Sequence, residues 1–250
     1  MDTLEYTVKV TWSQRWVGWF IHAFTASGAC VGLVALWAIY QHQLIAALWL
    51  MGAAILIDAV DGVFARAVDI KRAVPEIDGV LLDNMVDFVN YTMVPAFFLL
   101  VTDLLPPAWC FIGVVVLIFS SAYQFTQVDA KTSDHFFKGF PSYWNIVVFY
   151  LFFWQMSAWM NLMVVLLLAI LSFVPIKYVY PSRLDYLSNN RYLRLSMAIA
   201  TIFWGLATAG LLWLYPQSNH FLVLLSLGYT VMYIVISFYR TWVPLPIAFS

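Results

Sequence analysis

Charge is what this sequence has least of. Of 250 residues, 12 are Lys or Arg and 13 are Asp or Glu, 10% in all, where an ordinary globular chain carries about 25%. So little polar surface cannot cover a water-facing sphere of this size, which excludes a soluble enzyme. A disordered tail is excluded by the 64% hydrophobic and 18% aromatic content. The net charge of -1 leaves no electrostatic footprint for a nucleic acid. Cysteine is almost missing too: Cys30 and Cys110 both lie in or beside apolar runs, so neither a disulfide framework nor a zinc spacing can be built from them. Internal repeats and low-complexity tracts are absent. A membrane protein is the class that remains.

Long apolar runs are what the chain has in abundance. A helix needs about 20 apolar residues to cross roughly 30 Å of hydrocarbon, and eight stretches qualify: 16–40, 44–67, 79–101, 108–126, 142–157, 159–178, 195–215 and 220–239. The first outruns the core of a signal peptide and no small-residue cleavage site follows it, so it reads as a retained span. Leu4 to Arg15 reads as an interfacial segment. The fifth and sixth stretches are divided by a break near Trp159 and Asn161, and the basic residues support counting them as two. Lys9, Arg15, Arg66, Lys71, Arg72, Lys131, Lys138, Lys177, Arg183, Arg191, Arg194 and Arg240 all fall in the terminal tails or the even-numbered loops. Positive residues mark the cytoplasmic side. The expected fold is therefore an all-α integral membrane protein of about eight transmembrane helices with both termini cytoplasmic. The odd loops are short and nearly neutral, so function is expected on the cytoplasmic face.

Four of the scarce acids lie where they are least expected. Asp58 and Asp61 sit late in the second stretch, and Asp83 and Asp87 early in the third. Each carboxylate in mid-span costs about 2.5 to 3.5 kcal/mol on insertion scales, so four of them require compensation. Asp58 and Asp61 are three apart and Asp83 and Asp87 four apart, which gives each pair one helical face. The second stretch runs inward and the third outward, so at about 1.5 Å per residue the pairs reach similar depth in the cytoplasmic half of the bilayer. Gly62, Ala65 and Gly79 are small enough to let helix backbones or a ligand come close. One Arg cannot neutralise four carboxylates. Divalent cations can, and an all-oxygen ligand set favours Mg2+, Mn2+ or Ca2+ over Zn2+. A divalent-cation transporter would also want intramembrane aspartates, but it should show repeats or interrupted helices leading to the outer face.

The run Asp58-x2-Asp61-Gly62-x2-Ala65-Arg66-x12-Gly79-x3-Asp83-x3-Asp87 resembles the signature of the CDP-alcohol phosphotransferases, integral membrane enzymes that make phospholipids from a CDP-activated alcohol. The family usually has about eight residues between the Arg and the second Gly, where this chain has twelve, 67–78. The insertion falls in a cytoplasmic loop, outside both Asp pairs. The resemblance implies Asp58, Asp61, Asp83 and Asp87 as ligands of Mn2+ or Mg2+ in a two-metal site, with Asp87 also the catalytic base. It implies Gly62, Ala65, Arg66 and Gly79 at the CDP moiety. It further implies one catalytic domain over residues 1–250 in a bacterial inner membrane, with a homodimer expected from the family.

The longer spacing, the eight spans and the length resemble the bacterial branch of the family that transfers the phosphatidyl group of CDP-diacylglycerol to choline. Other acceptors, such as serine, glycerol phosphate or inositol phosphate, stay open within the family. Two cytoplasmic segments bear on this. Phe137 to Asn145 resembles a Phe-x-Gly-Leu-Pro element of the phosphatidylserine synthase branch, and Phe173 to Arg183 resembles the choline-using branch. Choline offers no hydrogen-bond donor on its nitrogen and is best held by aromatic faces. Tyr91, Tyr123, Phe137, Tyr143, Trp144, Tyr178 and Tyr180 lie near the cytoplasmic face, with Tyr143, Trp144 and Tyr180 singled out. Lys138, Lys177 and Arg183 are candidates for a lipid phosphate, and Arg191 and Arg194 extend the basic group. His22 reads as a packing residue.

Overall fold

Among the described residues, six helices are long and apolar enough to cross a membrane: Trp12–Tyr40, Leu44–Ala65, Gly79–Val101, Pro107–Thr126, Arg191–Leu214 and His220–Trp242. The protein is thus a multi-pass, all-helical membrane protein. The computed structural model describes residues 10–243 except 69, 133, 135, 182, 183, 185, 186, 189 and 218, and it does not describe the side chains of 66 and 67. Arg183, the Arg66 side chain and residues 4–9 of the expected interfacial segment therefore lie outside the described residues.

Helix α1 (Trp12–Tyr40) starts at a capping box in which Thr11 and Gln14 satisfy each other's backbone N–H groups. Its 29 residues reach about 43 Å, and exposed Trp12 and Trp16 at one end and Trp37 and Tyr40 at the other stand at interfacial depths. α2 (Leu44–Ala67) runs back along α1, and α3 (Ile70–Ala73) is a single turn in the following loop. The third span is built from α4 (Gly79–Asp87), a π-helical turn over Phe88–Met93, and α5 (Val94–Val101). Pro95 carries no N–H for the Tyr91 carbonyl and its ring crowds that carbonyl, a local cause for the wider turn just before it. Small residues on α1 let this span come close: a methyl group at Gly28 would stand 2.8 Å from Val86, and one at Gly32 2.6 Å from Asn90. Asn90 Nδ2 donates to the Gly28 carbonyl at 3.0 Å across that contact.

After α6 (Pro107–Thr126) the chain departs from the expected pattern. The fifth and sixth stretches become two short apolar helices, α7 (Trp144–Trp154) and α8 (Ala158–Leu171), of 11 and 14 residues. Their break lies at Gln155 to Ser157, where Gln155 takes left-handed φ, and not at Asn161, which sits inside α8. α8 also stops seven residues before 178. Pro175 ends helical continuation, and the chain goes on as the strand β2 (Lys177–Tyr178), antiparallel to β1 (Phe137–Lys138) with Phe137 opposite Tyr178.

Hydrogen bonds pair several N–H groups of this non-helical stretch. Gly139 N donates to Ile176 O and Phe140 N to Leu171 O, while Lys177 N and Val179 N donate to the Thr241 and Ser237 hydroxyls. Those hydroxyls belong to α10 (His220–Trp242), which packs with α9 (Arg191–Leu214). A buried polar knot joins this pair to α7: the Tyr150 hydroxyl meets Ser226 at 2.5 Å and Thr230 at 2.9 Å and accepts from Trp204 Nε1 at 2.9 Å. The main core holds Ile39, Phe98, Leu99, Leu117, Trp144 and Leu151. The outward faces carry Phe20, Leu33, Phe119, Ile170, Trp213 and Leu224, as helices bathed in lipid require.

Candidate functional site

Two helix ends create the site. α2 brings Asp58 and Asp61 in its last three turns. α4 begins at Gly79, capped by Asp78, whose carboxylate accepts from Val80 N and Leu81 N at 3.0 Å, and this start fixes Asp83 and Asp87 one and two turns along. The carboxylates of Asp58, Asp83 and Asp87 meet, with one oxygen of each within 4.8 Å of the others. At that separation two carboxylates repel by about 3 to 4 kcal/mol at an effective dielectric of about 20. A bound cation reverses this term. Divalent metals hold oxygens at about 2.0 to 2.6 Å, so ligand oxygens of one ion lie no more than about 5 Å apart. The triad fits that limit and can hold a metal ion.

Asp61 is on the same helix one turn beyond Asp58 and is 4% exposed, but it is outside the group of three. Gly62 and Ala65 follow it, both half-buried. Gly79 has a packing reason to be small, since a methyl group there would stand 2.9 Å from His22 Cε1. His22 is buried, and its Nε2 finds no hydrogen-bond partner among the described residues.

One partner of the triad escaped sequence reasoning. Tyr91, counted there only among the aromatics, donates its hydroxyl to Asp58 Oδ2 at 2.9 Å. It stands four residues after Asp87, a spacing that could have suggested it. From Tyr91 a line of rings leads away: Tyr143 at 6.1 Å between centroids, then Phe137 at 6.1 Å from Tyr143, then Tyr180 at 4.5 Å from Phe137. Within the two segments singled out by resemblance, Phe137–Lys138 pairs with Lys177–Tyr178, and Tyr143 lies against Tyr91, the partner of Asp58.

The remaining candidates divide. Trp144 is wholly buried, packs edge-on to Phe140 and donates its indole N–H to Ser121 Oγ at 2.7 Å, so it offers no face to a ligand. Lys138 pairs with Asp129 at 2.5 Å and Lys177 with Asp134 at 2.6 Å. Hydrogen bonds from Lys138 and Gln127 hold the Asp129 carboxyl below the usual carboxylate range. Tyr123 lies tilted against Phe173 at 4.6 Å between centroids, and Tyr178 lies in the core against Phe140.

Comparison with known proteins agrees with this geometry. The CDP-alcohol phosphatidyltransferase family matches residues 22–175, which include all four aspartates and the α7–α8 hairpin. A Legionella pneumophila protein curated as phosphatidylcholine synthase is 50% identical over 94% of this chain and 92% of its own length. Proteins curated under the same name are similar from Legionella bozemanae, 51% identical over 86% of this chain and 100% of the relative, and from Pseudomonas aeruginosa, 36% identical over 78% and 79%. The sequence match and the acidic triad lead to one assignment: the chain belongs to the CDP-alcohol phosphatidyltransferase family.

Proposed function

We propose that this protein transfers the phosphatidyl group of CDP-diacylglycerol to choline, giving phosphatidylcholine and CMP. The observation that carries the reading is the 50% identity, over nearly the whole of both chains, to a protein curated as phosphatidylcholine synthase. The Asp58, Asp83 and Asp87 group supplies the chemistry. Asp58, Asp83 and Asp87, with Asp61 one turn away, would hold Mn2+ or Mg2+. Bound there, the metal pair would neutralise the diphosphate and stabilise the CMP leaving group.

The chain's own residues do the rest. Asp87 accepts the proton of the choline hydroxyl as its oxygen attacks the phosphorus bearing diacylglycerol. A P–O bond to choline forms, the P–O bond to CMP breaks, and the electron pair leaves on the CMP phosphate. Tyr91 orients Asp58 through its hydroxyl. To Gly62, Ala65, Arg66 and Gly79 this reading gives the CDP moiety, as the family signature implies. Depth supports this arrangement: aspartates just inside one end of the bundle meet a lipid diphosphate whose acyl chains stay in the bilayer.

The same reading has eight crossings, with the site and both termini on the cytoplasmic side of a bacterial inner membrane and two copies forming a dimer. It treats residues 1–250 as one catalytic domain. Support for eight comes from the tip of the α7–α8 hairpin, where Asn161 Nδ2 donates at 2.9 Å to Leu104 O in the loop between α5 and α6. That loop lies at the opposite end of the third span from Asp83.

The test is CMP release by purified protein from CDP-diacylglycerol with Mn2+ or Mg2+, offered choline, serine, inositol phosphate and glycerol phosphate separately. Choline alone should support turnover, and a chelator should abolish it until metal is restored. CMP release with serine and not choline would refute the acceptor, and divalent-ion flux in liposomes without CMP release would refute the enzyme.

A further inference from the structure

The loop between α6 and α7 folds back on itself in front of the site. Lys138 N donates to Ala130 O at 2.9 Å, and Lys131 faces Phe137 across an antiparallel bridge. This register carries the Lys131 ammonium over two rings, 6.0 Å from the centroid of Phe137 and 5.7 Å from that of Tyr180. The rings stand 4.5 Å apart, inclined at 48°, and the pairing of β1 with β2 brings them together. Tyr143 joins Phe137 edge-on, and Tyr91 links Tyr143 to Asp58. Lys131 is also close enough to Asp83 and Asp87 to interact electrostatically with both. A cation therefore sits on aromatic faces beside the metal-binding aspartates, and it belongs to the protein itself.

We propose that Phe137 and Tyr180, with Tyr143 at their edge, form the seat for the quaternary ammonium of the acceptor, and that Lys131 occupies this seat as an internal stand-in which the acceptor displaces. The proposal rests on the choline reading above and adds the site and a competitor within it. A lysine ammonium is compact and strongly hydrated, so ring faces replace its water poorly. A methylated ammonium has no N–H to leave unpaired and gains more from the same rings. Exchange puts the acceptor's positive charge on the ring faces where the Lys131 ammonium stood. It also disfavours acceptors that bring a phosphate or carboxylate to that position.

Steady-state kinetics with CDP-diacylglycerol and choline read the seat directly. Tyr180→Leu and Phe137→Leu should raise the KM for choline about 2- to 30-fold, the span of one lost cation–π contact, with little change for CDP-diacylglycerol. Tyr180→Phe, which keeps the ring, should stay within about 2-fold. Lys131→Gln should lower the KM for choline by removing the competitor. An increase in the KM for CDP-diacylglycerol in Lys131→Gln would instead make the lysine a diphosphate ligand and overturn the proposal. Unchanged choline KM in Tyr180→Leu with lowered thermal stability would make the rings mere packing and overturn it as well.

Tetramethylammonium binding by calorimetry reads the seat without turnover. Weakening by Tyr180→Leu and strengthening by Lys131→Gln would support the proposal, and insensitivity to both would refute it. Should wild-type protein release no CMP with choline, the acceptor reading fails on its own, and this binding measurement still decides the seat.

Discussion

Asp87 stands where two demands meet, since it belongs to the acidic triad that can hold a metal ion and to the same helical face as Asp83. Replacing it by Asn keeps the shape and one oxygen but removes the proton acceptor. Positioned general bases contribute about 100- to 10,000-fold. Asp87→Asn should therefore lower kcat by about that factor while CDP-diacylglycerol still binds, measured by single-turnover CMP release alongside nucleotide binding. Tyr91→Phe supplies the contrast. It removes only the hydroxyl that holds Asp58, and loss of such an outer hydrogen bond typically costs about 10- to 100-fold in metal affinity or activity. Raising the Mn2+ concentration should recover much of the Tyr91→Phe loss and none of the Asp87→Asn loss. Near-normal kcat in Asp87→Asn would remove it from the role of base. The aspartates were legible in the sequence because a carboxylate in an apolar run needs a compensating partner. Tyr91 and Lys131 were less so, because a tyrosine in a chain with 14 of them, or a lysine in a loop, acquires its role only from what folds against it.

At the scale of elements, the two segments after α6 form a device that neither makes alone. Gly139 is its pivot: its φ is +80°, and an added methyl group would run into the Ser172 carbonyl. A side chain at such φ costs about 1 to 3 kcal/mol even without the collision. Gly139→Ala should thus separate β1 from β2, lower the melting temperature in detergent by several degrees and raise the KM for choline, with the metal requirement unchanged. Unchanged stability would show that the strand pairing does not depend on this turn. Sequence periodicity located this region but misread its form. The hydropathy of 142–157 and 159–178 is that of spans, yet Pro175 ends the second helix early and the true break falls at Gln155 to Ser157, where no Gly or Pro marks it. The π-helical turn after Asp87 was equally hidden, with Pro95 as its one local sign.

Across the whole molecule, the number of crossings turns on the α7–α8 hairpin, and parity cannot decide it: two short helices return the chain to the side it came from whether or not they cross. Length argues against crossing, since 11 and 14 residues give only about 17 and 21 Å of helix, short of roughly 30 Å of hydrocarbon. Packing argues for it. The extended stretch after Leu171 adds reach at about 3.3 Å per residue, and non-helical backbone is tolerated at membrane depth when it is buried in protein with its N–H groups paired. Gly139, Phe140, Lys177 and Val179 meet that condition. The hairpin tip then reaches the loop that carries Leu104, through Asn161. A single cysteine placed at Gln155, in a background with Cys30 and Cys110 replaced, should therefore react with a membrane-impermeant maleimide from the same side as one placed at Asp103. Cysteines at Asp129 and at Lys71 should react only from the other side. Labelling at Gln155 confined to the side of Asp129 would leave six crossings and a re-entrant hairpin, with the aspartate site and the aromatic seat still facing one compartment.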